Sequence, residues 1–283
     1  MILGIDWKVD AQIIDGWSTP NLYGLLFVSG LIIGFFVIKK MFKSEGISEE
    51  WLDKLLLYMV IATIVGARLG HVLFYGPYFG SDGYFSNPIN IIKVWEGGLA
   101  SHGGAIAILI ALYIYSKKVS KKPMLWILDR VVAPIAIAGC FIRLGNLVNH
   151  EIVGNPTDLP WGFKFHYESI SNMVLVDGEL VHVYRHPAQL YESIAYFLIF
   201  ILLHNLFWRT NLKEKLGYIF GVFLVVLWGA RFLIEFVKIP QETYEMTIPL
   251  NTGQLLSIPF IIAGIYIMLK ANKGGFGLLS DYE

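Results

Sequence analysis

Residues 140–156, CFIRLGNLVNHEIVGNP, end an apolar run with Arg143, Asn146, Asn149, His150 and Glu151. Arg143 and Asn146 are three apart, as are Asn146 and Asn149, so on a helix these side chains share a face. Arg231 with Glu235 and Arg185 with Gln189 repeat the theme at a spacing of four. His102 is followed by Gly103 and Gly104, which would leave backbone N–H groups at a helix start open to an anion. Guanidinium, carboxamide and open N–H groups suit the recognition of an anion. Placed at the ends of apolar runs, they suit an anion with a hydrophobic body, such as a phospholipid headgroup.

The elements that must position these residues are read from hydropathy. The chain has 283 residues, 55% hydrophobic, with a mean hydropathy of +0.58. Only 16% are charged, where an ordinary soluble domain has about a quarter. Seven apolar stretches, near 21–38, 55–75, 98–116, 124–147, 188–207, 216–237 and 252–270, approach the ~20 residues needed to cross a hydrocarbon core. The expected fold is therefore an all-α polytopic membrane protein, residues 1–283 forming a single transmembrane domain with seven transmembrane helices. Residues 150–187 form a small external head insert, in which MVLVDGELVHVY alternates about Asp177-Gly178 as a β-hairpin does. NPINIIKVW predicts a short interfacial helix capped by Asn87, with Pro88 in its first turn and Trp95 at headgroup level.

Lys and Arg distribution predicts the orientation. Thirteen basic residues fall in 39–54, 117–122, 209–215 and the C-terminal tail, against five (Lys8, Lys93, Lys164, Arg185 and Lys238) on the opposite side. The positive-inside rule then puts the N-terminus outside and the C-terminus in the cytoplasm. With that orientation Arg68, His71, Arg143, Asn146, Arg231 and Glu235 lie near the outer ends of their spans. Tyr23, His102, Gln189, Glu192, Asn251 and Gln254 lie near outer starts, so all seven spans bring polar groups to one depth. An intramembrane arginine costs about 2.5–3.5 kcal/mol on insertion scales, so each needs a partner or a wet cavity. Arg130, toward the cytoplasmic half, is expected to pair with Asp129. Zero net charge without a basic stripe argues against nucleic acid as a partner. Cys140, the sole cysteine, excludes an internal disulfide and suits packing. Asp6, Asp10 and Asp15 are unlike the basic start of a cleaved signal peptide.

In order along the chain, STPNLYGLLF, VGARLGHVLFY, VWEGGLASHGG, RLGNLVNHEIVG, RHPAQLYE, RFLIEF and TGQLLSIP resemble blocks of the bacterial prolipoprotein diacylglyceryl transferase family. RLGNLVNHEIVG is similar to the family signature Gly-Arg-x-Gly-Asn-Phe-x-Asn-x-Glu-x-x-Gly. Ile142 replaces its first Gly, Leu147 replaces the Phe, and Ser101 precedes His102 where an apolar residue is usual. The resemblance implies transfer of diacylglyceryl from phosphatidylglycerol to the lipobox cysteine thiol of a preprolipoprotein signal peptide, releasing glycerol phosphate. It implies a transferase of the bacterial cytoplasmic (inner) membrane, surrounded by membrane lipids, with its site near the outer leaflet. On that resemblance Arg143 and Arg231 grip the phosphate, since a planar guanidinium binds two oxygens at once. Asn146, Asn149, Glu151 and Gly154 shape the headgroup site, with Tyr23 close by, and Glu235 and Gln189 hold the arginines and the incoming peptide. His102 is the candidate base. The histidines lack metal-ligand spacing, and the implied reaction needs neither metal nor cofactor. Two rivals remain: a secondary transporter, for which internal repeats would be expected, and a non-catalytic phospholipid-binding membrane protein.

Overall fold

The computed structural model describes residues 4–16, 19–76, 78–79, 83–94, 97–239 and 250–277. Among them, seven helices are long and apolar enough to cross a membrane. They are α1 (Leu22–Ser44), α2 (Glu49–Phe74), α3 (Ser101–Tyr115), α4 (Met124–Val148), α5 (Ala188–Arg209), α6 (Tyr218–Ile234) and α7 (Thr252–Asn272). A π-helical turn, Ser116–Ser120, extends α3, and a 3-10 turn, Glu235–Val237, extends α6. End signals agree with the boundaries. Glu49 and Glu50 sit at the start of α2, and Lys43, Arg209 and Lys270 in the last turns of α1, α5 and α7, each sign matching the helix dipole. A capping box opens α7, Asn251 and Gln254 each accepting the other's backbone N–H.

The chain divides into two compact units. One is residues 38–127. In it α2 and α3 meet backbone to backbone: a Cβ on Gly103 would lie 2.3 Å from the Gly66 carbonyl oxygen and 2.7 Å from the Gly70 Cα. The glycine after His102 thus serves close helix packing. The short helix covers Ile89–Ile92 and starts from Pro88, without a side-chain cap. Asn87 contributes its carbonyl, to Asn90 N–H at 3.0 Å, in place of the side-chain cap expected of it. Trp95 lies outside the described residues.

The other unit is residues 1–37 and 128–283. Here α1 lies on α4 where Gly30 and Gly34 face Ala138 and Pro134, and α6 lies on α7 where Gly221 faces Gly264. Asp129 interacts with the Arg130 charge as expected, but its oxygens are bonded elsewhere. They accept the N–H groups of Gly217 (2.7 Å) and Phe220 (2.8 Å), capping the start of α6, while the Arg130 guanidinium lies over the Phe207 ring. The head contains the hairpin β3 (Val174–Val176) and β4 (Glu179–Val181), closed by Asp177 and Gly178 with φ of 52° and 87°. Two positive φ values are what a type I′ turn demands. Beside it stands a three-stranded sheet that alternation did not reveal: β1 (Ile5–Trp7) runs parallel to β2 (Phe163–Phe165), which pairs antiparallel with β5 (Tyr184–Arg185). Phe163 and Phe165 pack with Leu147, Val153 and Trp7, and the Trp7 indole donates to the Leu147 carbonyl, fixing the sheet to the end of α4.

Candidate active site

The last turns of α4 carry the polar series. Arg143 Nε lies 3.0 Å from Glu192 Oε2 on α5, the two side chains 15% and 1% exposed. Its Nη1 donates to Asn146 Oδ1 at 3.4 Å, and among the described residues its Nη2 has no partner. Asn146 and Asn149 each donate to one oxygen of Glu151, at 3.2 and 3.1 Å. Both can reach it because α4 stops at Val148 and the chain turns back through His150 and Ile152, at φ 56° and 58°. Tyr23 of α1 lies flat against Gly145, where an added Cβ would come within 2.7 Å of its ring.

Glu192 has a second cation. Lys238 Nζ is 3.5 Å from its Oε1 and 3.3 Å from Glu235 Oε2. Arg231 does not bond Glu235, despite their spacing of four. The backbone tightens into the 3-10 turn at Glu235 and swings that carboxylate toward Lys238 and Gly253. Arg231 instead donates from Nη1 to the Tyr196 hydroxyl (3.5 Å) and lies over Trp228, its charge within range of Glu192 and Glu235. Among the described residues its buried Nε has no hydrogen-bond partner.

Gly154 is held between two strands of backbone. Its N–H donates to the His186 carbonyl at 2.9 Å, and Asn155 N–H donates to the Val237 carbonyl at 2.8 Å. Gln189, fully buried, donates to the Glu151 carbonyl and keeps its Oε1 without a partner. Arg185 shares no helix with Gln189, because Pro187 caps α5 and Arg185 belongs to β5, paired with Glu168 at 3.0 Å.

Tyr23, Arg143, Asn146, Asn149, Glu151, Gly154, Gln189, Arg231 and Glu235 thus all belong to one compact unit and gather around the ends of α4, α5 and α6. Sequence reasoning brought Glu192 to the shared depth without a role and left Tyr196 and Lys238 out of the site. The signal for the first two was present, since Gln189, Glu192 and Tyr196 are spaced three and four apart and line one face of α5. Lys238 was counted among loop cations, yet it is only 7% exposed.

His102 belongs to the other unit. It is exposed at the second residue of α3, its ring 5.3 Å from Phe74 and 5.6 Å from Tyr75. Arg68, of the same unit, spends four of its five N–H donors on the carbonyls of Asn90, Ile91, Gly97 and Gly98. It therefore ties Asn90, Ile91, Gly97 and Gly98 to α2. Arg143 and Arg231, in the unit of residues 1–37 and 128–283, each keep N–H donors unused among the described residues.

Comparison with known proteins shows the family. The family model described as prolipoprotein diacylglyceryl transferase matches residues 14–270. Proteins named phosphatidylglycerol--prolipoprotein diacylglyceryl transferase from Tolumonas auensis and Porphyromonas gingivalis are 44% and 45% identical to the chain. The alignments cover 94% of this chain and 97% of the first relative, and 95% of this chain and 95% of the second. The relative of the same name from Bacteroides fragilis is 35% identical, over 96% of this chain and 97% of its own length. A seven-helix, multi-pass membrane protein whose blocks align along nearly its whole length with these bacterial enzymes, the chain belongs to the prolipoprotein diacylglyceryl transferase family.

Proposed function

We propose that this protein transfers the diacylglyceryl group of phosphatidylglycerol to the lipobox cysteine of preprolipoproteins, the first step of lipoprotein maturation. Sulfur forms a bond to a glycerol carbon, the carbon–oxygen bond to phosphate breaks, and glycerol phosphate leaves. Arg143 and Arg231 neutralise the charge that grows on the departing phosphate. Asn146, Asn149, Glu151 and Gly154 floor the headgroup site beside Tyr23, with Gln189 and Glu235 behind them. His102 receives the thiol proton, its exposed ring at a helix start being accessible to an incoming peptide. One transmembrane domain carries all of this, with 150–187 as its head on the outer side of the bacterial cytoplasmic membrane and the site near the outer leaflet. The basic-loop asymmetry supports that orientation.

The observation that carries the reading is the pair of guanidinium groups with unused donors, Arg143 Nη2 and the buried Arg231 Nε, on adjoining helix ends of a family member. The test is incubation of the membrane-embedded protein with phosphatidylglycerol and a lipobox peptide. A heavier peptide together with free glycerol phosphate is expected. Lipid binding without a mass change would indicate a non-catalytic binder, and solute uptake without a mass change a transporter.

A further inference from the structure

Glu192 is the only acidic side chain among the described residues that touches two cations of the site. Its carboxylate is 1% exposed, 3.0 Å from Arg143 Nε and 3.5 Å from Lys238 Nζ. Charge neutralisation alone would not require the particular atom it meets. A free arginine and carboxylate prefer a two-point fork, in which Nη2 would join the contact. Here the closest approach is between Nε and Oε2, off the N–H direction, so that among the described residues Oε2 makes no hydrogen bond. Lys238 draws Oε1 away, and Lys238 is itself placed by Glu235 at 3.3 Å and by the backbone bridge from residue 238 to Gly154. The hydrogen-bonded fork is therefore not made, and among the described residues Nη2 keeps its donors unused.

We infer that Glu192 is a positioning residue for the transfer reaction: shared with Lys238, it anchors Arg143 by Nε so that Nη1 and Nη2 are presented to the phosphate. This rests on the function proposed above. Glu192 acts through Arg143 and does not meet the substrate. The phosphate diester bears one negative charge and gains a second as the carbon–oxygen bond breaks, so a correctly aimed guanidinium is worth most in the transition state. Loss of aim should lower kcat more than it raises KM for phosphatidylglycerol.

The experiment compares the full-length protein with Glu192→Gln, Glu192→Asp and the double variant Glu192→Gln/Lys238→Met, in vesicles of phosphatidylglycerol with a lipobox peptide. Thermal stability, kcat and KM are read for each. Glu192→Gln should lower kcat about 100-fold, the cost expected of a ~1 Å misplacement of a catalytic group, with KM changed less than about 5-fold. Glu192→Asp keeps the charge but shortens the reach, and should hold wild-type stability while losing about 10-fold in kcat. The double variant removes one negative and one positive charge, so it should regain the stability lost by the single variant and leave turnover low. Recovery of turnover in the double variant would overturn the inference, making Glu192 a counter-charge for Lys238. So would a Glu192→Asp or Glu192→Gln protein with wild-type kcat. Absence of transfer by the wild-type protein would instead sink the function reading, a result separate from any ranking of the variants.

Discussion

Gly154→Ala adds one methyl group at a place with no room for it. Its Cβ would stand 2.6 Å from the His186 carbonyl oxygen, 2.6 Å from the Val237 carbonyl oxygen and 2.6 Å from the His186 Cβ. Real Cβ contacts essentially never fall under 3.0 Å, so three atoms must each retreat by about 0.4 Å or more. Two of them are backbone oxygens already committed, one to Gly154 N–H and the other to Asn155 N–H, so no flexible side-chain end can give way. Gly154 is not in the left-handed region, and space alone is what the glycine supplies. Overpacking of this kind costs about 1–3 kcal/mol. The strain is directed: His186 precedes the start of α5 that carries Gln189 and Glu192, and Val237 precedes Lys238. Parting these two backbones shifts the groups that hold Arg143, and turnover should fall on the order of 100-fold. Transfer to a lipobox peptide, with thermal stability in the same detergent, checks this. Gly229→Ala, in α6 with nothing within 4 Å of its Cβ, is the matched control and should keep its activity. A Gly154→Ala protein with near-normal turnover and stability would refute the reasoning.

Arg143→Lys should lose most of its activity, at least ~30-fold, while still folding, because an ammonium cannot be held at one nitrogen and present two others; turnover with purified variant checks it, and near-normal turnover would make Arg143 a structural counter-charge. His102→Gln should lower turnover far more than phosphatidylglycerol affinity, and its residual activity should climb from pH 6 to 9 as the substrate thiol, with a free pKa of about 8.5, ionises unaided; an affinity loss with an unchanged pH profile would assign His102 to headgroup orientation. Burial, ahead of the opposing hydrogen bond with the Val9 carbonyl, pulls the His150 pKa below its ordinary 6.5. The ring's Nδ1 accepts from Tyr167 N–H, so the fold holds the neutral form; that stability is present above 6.5 and is lost as pH falls through the folded value. Amide protection in 150–187, taken relative to the intrinsic exchange rate at each pH, should therefore fall between pH 7.5 and 5, less so in His150→Gln; equal protection at both pH values would refute this. Cysteines placed within 117–122 should be labelled only from the cytoplasm and those within 170–180 only from outside, Cys140 being buried and silent; the reverse pattern would overturn the orientation.

What could be read from the sequence was what depends on neighbours along the chain. The seven spans announce themselves by length and hydropathy, the hairpin by Asp177-Gly178, and the contacts of Arg143 with Asn146 and of Asn146 with Glu151 by short separations. What depends on distant residues left no such mark. The parallel pairing of Ile5 with Phe163, the ion pair of Arg143 with Glu192 and the capture of Lys238 join segments far apart in sequence, and no spacing rule connects them. Local conformation misled twice. The 3-10 turn at Glu235 parted it from Arg231, and Pro187 parted Arg185 from the helix that carries Gln189. The charge interaction of Asp129 with Arg130 was legible because adjacency is visible in a sequence; helix capping by Asp129 from 88 residues away was not.

The contact between α2 and α3 has a mechanical meaning. Gly66, Gly70 and Gly103 meet through main-chain atoms, with no side chain between them to change rotamer. Such a joint is set by backbone contact. Advancing α3 by a single residue in one direction would bring the His102 side chain to a gap that accepts only hydrogen, so that slide is forbidden, whereas the opposite step would bring Gly104, which fits. His102, adjacent to that joint, inherits its position along α2 from the backbone itself. The place of the imidazole along α2 is thus indexed by main-chain contact, in the way a keyway fixes a shaft.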